Sequence, residues 1–558
     1  MSRTAHAIAG ARVATNRQAC HLMCAAEARV HPAGSFRPRA TNPPIRRALI
    51  GSAFIVGFTL LLYGAPVPRL SEELYLPLVR HTGNAAYLAG DWTLRGPFTE
   101  HWVFDHTLGW LASALPLPAF GWLGRLASWS VLAWLLIKLG TRLGASVTAS
   151  TAGIALWLFA NQAFIGGDWM LGTFEAKTVG YCLLVGALVA AVDGRVSLAL
   201  VLLGATVSFH PGVGVWAAIG LGVTLIAFRE TRAQALRWSL VGAAIAAPGI
   251  IGALSAVDFN SARLVRFVVL EAVPQHADPF FGGARLAGLQ VFVHFVALLA
   301  MFVANWWWAR RAPASFAHRV LFGLQLVTMM VFVVGLVARV AHWWSFLLLA
   351  PFRVGPLFVL LVFFLNLARR VNELHALDRS RAWWIRPSWR LAVLGIAFAT
   401  VVTSPLVAGP RMISRTFAAW TTPDHEADAF TWIRDHTPVS TRCLVPIDRQ
   451  DAFMRVERPI VVNWQAIRYD DIKEWHRRVV QLVGGTRYFT DAHATGRIDG
   501  RRGGDLQSLR RAYNALSQRQ IVAIARRYQA SCVVATTAYR LPVVHRAGDV
   551  RVYRLGPA

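Results

Sequence analysis

Residues 320–338 read VLFGLQLVTMMVFVVGLVA, a run without a charged side chain, bounded by Arg319 and Arg339. A membrane-crossing helix needs roughly 20 mostly apolar residues. Similar runs recur near 47–64, 119–138, 145–161, 178–192, 196–209, 212–228, 238–256, 286–306, 354–368 and 391–408. The chain therefore reads as a multi-pass α-helical membrane protein with about eleven spans. Its mean hydropathy of +0.44 and 22 tryptophans fit a protein whose solvent is the bilayer.

The arginines orient the spans, because cytoplasmic loops carry an excess of Lys and Arg. The N-terminal tail holds Arg3, Arg12, Arg17, Arg29, Arg37, Arg39, Arg46 and Arg47, which puts it inside. Alternate loops then hold Arg142, Arg195, Arg232, Arg237, Arg310, Arg311, Arg369 and Arg370 inside. The opposite loops collect Glu72, Glu73, Asp91, Glu100, Asp105, Asp168, Glu175, Glu271 and Asp278. An odd number of spans puts the C-terminal region outside.

The net charge of +28 is nearly all arginine, with Lys138, Lys177 and Lys473 the only lysines. These charges sit largely at span flanks, where anionic lipid balances them. No nucleic-acid-binding motif interleaves them, so nucleic acid is not an expected partner. Cys20 and Cys24 lie in a polar, Arg- and Ala-rich tail with no further ligand to complete a zinc site.

Three regions follow. Residues 1–46 form a disordered cytoplasmic tail. Residues 47–410 form the membrane domain, with a large first outside loop at 65–118. Residues 411–558 form a small extracytoplasmic α/β domain, because helix and strand patterns alternate there. Helices are expected at His425–His436, Asp470–Leu482 and Leu506–Tyr528. Strands are expected at Cys443–Pro446, Pro459–Val462, Cys532–Ala535 and Val550–Leu555. No phosphate-binding glycine loop or nucleophile elbow marks this domain as catalytic by itself. Cys443 and Cys532 fall in two of the strands. Two buried thiols is the plainer reading, and a disulfide in an oxidising compartment is the alternative.

The polar chemistry lies in the outside loops. Ser71 is placed to cap a short helix, Ala85–Asp91 reads as a second one, and Glu100-His101-Trp102-Val103-Phe104-Asp105-His106 follows. A solvated interfacial loop is the bland account of this segment. Glu175 and Lys177 flank the start of an apolar run, where an unpaired charge is costly. Two residues apart, they would not face each other on a helix, so each is expected to find a different partner. For Lys177, snorkelling to the membrane boundary competes with a functional role. His210 sits in a Pro- and Gly-made turn, where a lone histidine is more often structural. Glu271, His276 and Asp278 admit a divalent metal without a diagnostic spacing, and no other cofactor is called for. Arg353 stands between Pro351 and Pro356, where a guanidinium suits a phosphate and a snorkelling flank arginine is the alternative.

Several runs resemble the GT-C superfamily of integral-membrane glycosyltransferases, in an uncharacterised bacterial branch. They are Ala86-Tyr87-Leu88-Ala89-Gly90-Asp91-Trp92, Glu175-Ala176-Lys177-Thr178-Val179-Gly180-Tyr181, Ser208-Phe209-His210-Pro211, Pro351-Phe352-Arg353 and Phe453-Met454-Arg455-Val456-Glu457-Arg458-Pro459-Ile460-Val461-Val462. The resemblance covers about 50–558. It implies transfer of a sugar from a polyprenyl-phosphate donor to an envelope glycan, lipid or protein acceptor, at the outer face of a bacterial cytoplasmic membrane. A carboxylate would take the acceptor's proton. The acidic pair of the family falls at Glu72-Glu73 or at Asp91, with Asp91 the first choice of base and Glu73 the second. Arg353 and Lys177 are expected on the phosphate, with Glu175 and His210 positioning substrate. A transporter or flippase of a lipid-linked or anionic substrate is the alternative, and a non-catalytic assembly role the third reading. No clear repeat supports the transporter.

Overall fold

The computed structural model describes residues 45–95, 100–163, 165–166, 168–255, 262–277, 279, 287–311, 315–377, 409–486, 488–489 and 506–556. The expected eleventh span at 391–408, Asp278 and nearly all of the expected tail lie outside the described residues.

Helices stand at the other ten expected span positions. They are α1 (Ile45–Tyr63), α4 (Leu117–Arg142), α5 (Val147–Phe159), α6 (Ala176–Val192), α7 (Val196–Phe209), α8 (Pro211–Ala227), α9 (Arg229–Ser255), α12 (Ala287–Arg311), α13 (Phe316–Val340) and α15 (Val354–Leu377). The loops between carry α2 (Glu72–Gly83), α3 (Trp102–Ala114), α10 (Ala262–Phe267), α11 (Pro274–Ala277) and α14 (Trp344–Leu348). The chain is a multi-pass membrane protein. Six of the described helices, α1, α4, α9, α12, α13 and α15, are long and apolar enough to cross a bilayer. The other four have 13 to 17 residues. At 1.5 Å per residue, 13 residues reach only about 20 Å of a roughly 30 Å core. Three of these runs already read as 14 to 17 residues in the sequence; only the one expected over 145–161 overruns its helix by two residues at each end.

α15 is the most enclosed of the long helices. Of its apolar window 78% is buried, against 17% for α9. It therefore offers a fixed base for whatever precedes it, and Arg353 is the residue immediately before it. Close helix contact fixes the neighbouring turn as well. A Cβ at Gly204 on α7 would lie 2.3 Å from the Gly242 carbonyl on α9, and one at Gly249 would lie 2.5 Å from Ser208. Only glycine lets these backbones touch, the small-residue packing usual between membrane helices. That contact anchors the end of α7, from which His210 follows.

The C-terminal part is built from α16 (His425–His436), α17 (Ala452–Val456), α18 (Ile472–Leu482), α19 (Leu506–Asn514), α20 (Gln518–Arg527) and a four-stranded sheet. The strands are β1 (Cys443–Leu444), β2 (Cys532–Ala535), β3 (Val543–Ala547) and β4 (Val550–Arg554), in the order β1-β2-β4-β3. β1 and β2 run parallel, as a crossover through helices demands; the other neighbours are antiparallel. Cys443 and Cys532 are direct register partners with Cα atoms 4.6 Å apart, and they form a disulfide. The bond closes a separation of 89 residues and stabilises the domain by up to about 4 kcal/mol in the chain-entropy model.

Four local expectations are corrected. Leu506–Tyr528 is two helices, because Ser517 caps α20 and its capping box with Gln520 interrupts the run. Pro459–Val462 is not a strand of the sheet; it makes a single bridge, Ile460 to Cys443. Ala85–Asp91 is a series of turns, with Gly90 at φ +84°. Ser71 makes no side-chain cap to α2.

First-loop residues and the C-terminal part share one core. Leu88 and Leu94 pack with Phe430, Val445, Phe453 and Ile460. Phe267 at the end of α10 sits 4.8 Å from the ring of Phe489 and 6.0 Å from that of Trp475. The C-terminal part is thereby seated on the loops that join the membrane helices, which sets up the cavity between them.

Candidate functional site

A cavity of about 220 Å³ opens where these loops meet the C-terminal part. The first loop supplies Tyr75, Glu100 and His101, the membrane helices' turns supply Glu175, His210, His276 and Arg353, and the C-terminal part supplies Gln465, Arg468 and Tyr469. Pockets that enclose drug-sized ligands hold roughly 300–1,000 Å³, so this one suits a group nearer one sugar ring in size.

Behind one wall lies a cluster of buried charge. Lys177 Nζ is 3.1 Å from Asp168 Oδ1 and 3.3 Å from Glu175 Oε1. Tyr181 donates its hydroxyl to Asp168 Oδ2 at 2.6 Å. Lys177 and Tyr181 stand four apart on α6, so one helix face aims both at the same carboxylate. Burial alone would raise the Asp168 carboxyl, but Lys177 and Arg353 outweigh it and hold it down at about 2. Glu175 also accepts from the Thr173 hydroxyl at 3.0 Å.

Two expectations change here. Glu175 and Lys177 do pair with each other, because Glu175 is the extended N-cap of α6 (φ −156°, ψ 172°) and not a residue of the helix. Lys177 neither snorkels nor lines the cavity. It is 2% exposed, its charge is met by two carboxylates, and Trp169 covers it with a ring centroid 3.5 Å from Nζ.

Arg353 is different. Its Nε lies 3.7 Å from Asp168 Oδ2 and its Nη2 points to His276 Nε2 at 3.3 Å. Nη1 has no hydrogen-bond partner among the described residues. It lies by the first turn of α8: a Cβ on Gly212 would come within 3.3 Å of it. Pro211 has no amide hydrogen and the Val213 and Gly214 amides go to His210, so the Gly212 amide and the positive end of the macrodipole are what this helix start offers. A guanidinium and a helix start thus converge beside the cavity, the combination that holds phosphate.

Three histidines line the cavity, and burial lowers all three below the usual imidazole value, His210 and His276 well below it. His210 caps α8: its Nδ1 accepts from the Val213 amide at 3.1 Å, so the proton sits on Nε2. His276 Nε2 faces a guanidinium, which can only donate, so its proton sits on Nδ1, toward the Gly166 carbonyl at 3.4 Å. His101 has neither arrangement. It is 1% exposed, and among the described residues neither ring nitrogen has a hydrogen-bond partner.

Asp91, Glu72 and Glu73 do not line the cavity. Asp91 is 1% exposed, and its two oxygens accept the amides of Thr93 and Ile460, each at 2.8 Å. Around it Arg442 donates to the Gly90 carbonyl and Arg468 to that of Trp92. Two of the runs singled out in the sequence, 86–92 and 453–462, are therefore contact partners. Glu72 is fully buried in an ion pair with Arg125 on α4: Nε to Oε1 is 2.7 Å and Nη2 to Oε2 is 2.5 Å. The Phe174 and Arg69 amides complete it. Glu73 faces the C-terminal part, where burial first and then the neighbouring Asp451 push its carboxyl well above the usual range.

Sequence reasoning did not single out Asp168, Arg125 or His101. For Asp168 a signal existed, the Lys177/Tyr181 spacing just after it. For His101 none did, since its surroundings come from α2, α7 and the loops. Among the described residues no group of three or more His, Cys, Asp or Glu is arranged to hold a metal ion.

A domain of unknown function, DUF6798, matches residues 424–482, which run from the start of α16 to the end of α18. No curated protein matches the chain. The fold is similar to that of the archaeal oligosaccharyltransferase AglB from Archaeoglobus fulgidus, solved with an inhibitory peptide and a dolichol-phosphate. The identity is 12%, the match covers 88% of this chain and 69% of that one, and the TM-score is 0.43. A second structure is of the Archaeoglobus fulgidus oligosaccharyltransferase tethered to an acceptor peptide. It matches at 12% identity, 88% and 68% coverage, and a TM-score of 0.44.

Proposed function

We propose that this protein is a membrane glycosyltransferase that moves a sugar from a polyprenyl-phosphate donor to an acceptor at the outer face of the membrane. One observation carries the reading. Arg353 and the first turn of α8 converge beside a cavity of sugar-ring size whose lining also includes Glu100, His101 and Tyr469. When the bond from the sugar to phosphate breaks, negative charge collects on the leaving phosphate. A fixed guanidinium and a helix start meet that charge without reorganising. Lys177 contributes at one remove, by neutralising Asp168 and Glu175 so that Arg353 keeps donors for the ligand.

Asp91 then has a holding role. Its carboxylate joins the first loop to Ile460, and that junction keeps Gln465, Arg468 and Tyr469 over the cavity. The C-terminal part is a wall of the site with no separate activity of its own.

The test is transfer in isolated membranes. Membranes carrying the chain are incubated with radiolabelled polyprenyl-phosphate glucose, mannose, galactose and arabinose, and label is followed into lipid, glycan and protein fractions. The expected result is transfer of at least one sugar that membranes with Arg353→Ala fail to make. Equal labelling with and without the chain for all four sugars refutes the reading.

A further inference from the structure

Glycosyl transfer to a hydroxyl needs a group that removes the hydroxyl's proton, and the geometry points to His101, with Glu100 as its charge partner. This inference rests on the transfer reading above. We reach it by asking which cavity groups still have an open lone pair.

His210 has none to offer, since its one neutral-state lone pair takes the Val213 amide. His276 has none either, since its lone pair faces the Arg353 guanidinium. Glu175 keeps Oε2 open, but its charge already balances Lys177, with Oε1 meeting both Lys177 and the Thr173 hydroxyl. Asp470 is tied to Arg468, with Oδ1 accepting from Nε at 2.9 Å. His101 and Glu100 remain. His101 Nε2 and Glu100 Oε1 are 3.8 Å apart, too far for a hydrogen bond and close enough for a small side-chain movement to make one. Glu100 is free to make it, with 39% of its side chain exposed, while the imidazole is held in place. Tyr75 packs edge-on against the ring at 4.8 Å and His210 lies tilted over it at 4.7 Å. Glu175, Arg353 and Lys177 are the other charges that act on it.

An imidazole buried without a partner is costly unless a ligand completes it. In the proposed step the acceptor O–H gives its proton to the free His101 nitrogen. The oxygen's electron pair forms the new bond to the anomeric carbon. The bond from that carbon to the phosphate oxygen breaks, and its pair leaves with the phosphate toward Arg353. The imidazolium so formed is balanced by Glu100, as carboxylates balance histidine bases elsewhere.

Two measurements decide this. The first is histidine-selective nitrogen NMR of the full-length protein in detergent, with His101→Asn used to assign the signal. His101 is expected to exchange its proton state with pH, and to lose protonation more readily in Glu100→Gln. His210 and His276 are expected to keep one fixed tautomer across about pH 5–8. A His101 signal insensitive to both pH and Glu100→Gln overturns the inference and leaves the transfer reading intact. The second is transfer by the same protein of whichever of the four labelled sugars the membrane assay identifies. His101→Asn is expected to lower kcat by about 10²–10⁴-fold with KM nearly unchanged, and to flatten the acid limb of the pH profile. Wild-type turnover in His101→Asn overturns the inference alone. Absence of transfer by the wild type overturns both readings together.

Discussion

Two clusters of buried charge lie one residue apart along the chain. The Phe174 amide donates to Glu72, which pairs with Arg125; Glu175 pairs with Lys177, beside Asp168 and Arg353. Both clusters are buried, both cross between elements, and both contain residues that look catalytic in a sequence. They differ in what is left over. Around Glu72 both carboxylate oxygens are met by Arg125, Phe174 and Arg69, and the remaining Arg125 nitrogen, Nη1, donates to the Ala65 carbonyl. Around Asp168 the charges are nearly matched, yet Arg353 keeps an open nitrogen and reaches the cavity. A closed cluster holds a fold; an open one leaves a donor for a ligand.

The largest expected effect comes from opening the closed cluster. Arg125→Ala leaves Glu72 charged and buried without its partner, and should cost about 3–5 kcal/mol of stability, read as a fall in the thermal midpoint in detergent. Glu72→Leu combined with Arg125→Met should recover most of that loss, because no lone charge remains. Recovery of nothing would mean that the pair does more than hold α2 to α4.

In the open cluster the loss should fall on activity. Arg353→Ala should keep the midpoint close to wild type and reduce transfer by about 10²–10³-fold. A large fall in the midpoint with unchanged specific activity of the folded fraction would reverse the comparison.

Acid should separate the cavity from the Asp168 cluster behind it. Burial holds His101, His210 and His276 below their usual 6.5. Folding therefore favours their neutral forms. The stability this contributes is complete above about pH 6.5 and declines as pH falls through the lowered folded values. Asp168, held at about 2 against its usual 3.8, contributes stability above 3.8 that is lost only as pH falls toward 2. The cavity should thus loosen in mild acid while the Asp168 cluster persists. Thermal midpoints from pH 7.5 down to about 4.5, compared with a His210→Asn variant, would show it.

The smallest effect is expected at Asp91. Asp91→Asn keeps one acceptor oxygen and should cost about 1–2 kcal/mol through the weakened bond to Ile460. Faster proteolysis of the C-terminal part with most of the transfer retained is the expected outcome; complete loss of transfer would return Asp91 to the chemistry.

The sequence carried the helices well, since apolar runs of this length have few other uses. It carried the number of bilayer crossings less well, because apolar helices of 13 to 17 residues read like spans. It overstated Pro459–Val462, whose β-branched residues serve burial around a single bridge, and missed β3, whose Val543 and Val544 are exposed. Glu175 and Arg353, which line the cavity, stood out in the sequence because charge beside an apolar run is costly and needs a reason. Asp91 and Glu72 carried the same signal for the opposite reason: each is an acid buried to hold elements together. Periodicity does not distinguish an acid whose partners are all present from one that awaits a ligand. That distinction appears only when the partners come together from α2, α4, α6 and the C-terminal part.

The most direct test of the central claim is the position of the phosphate. The purified protein, reconstituted in lipid discs with polyprenyl phosphate, can be imaged by electron cryo-microscopy. The account predicts phosphate density within hydrogen-bonding reach of Arg353 Nη1 and the first turn of α8, with the lipid tail leaving between membrane helices. Phosphate density bound elsewhere, with the Arg353 cavity holding only solvent, would contradict it.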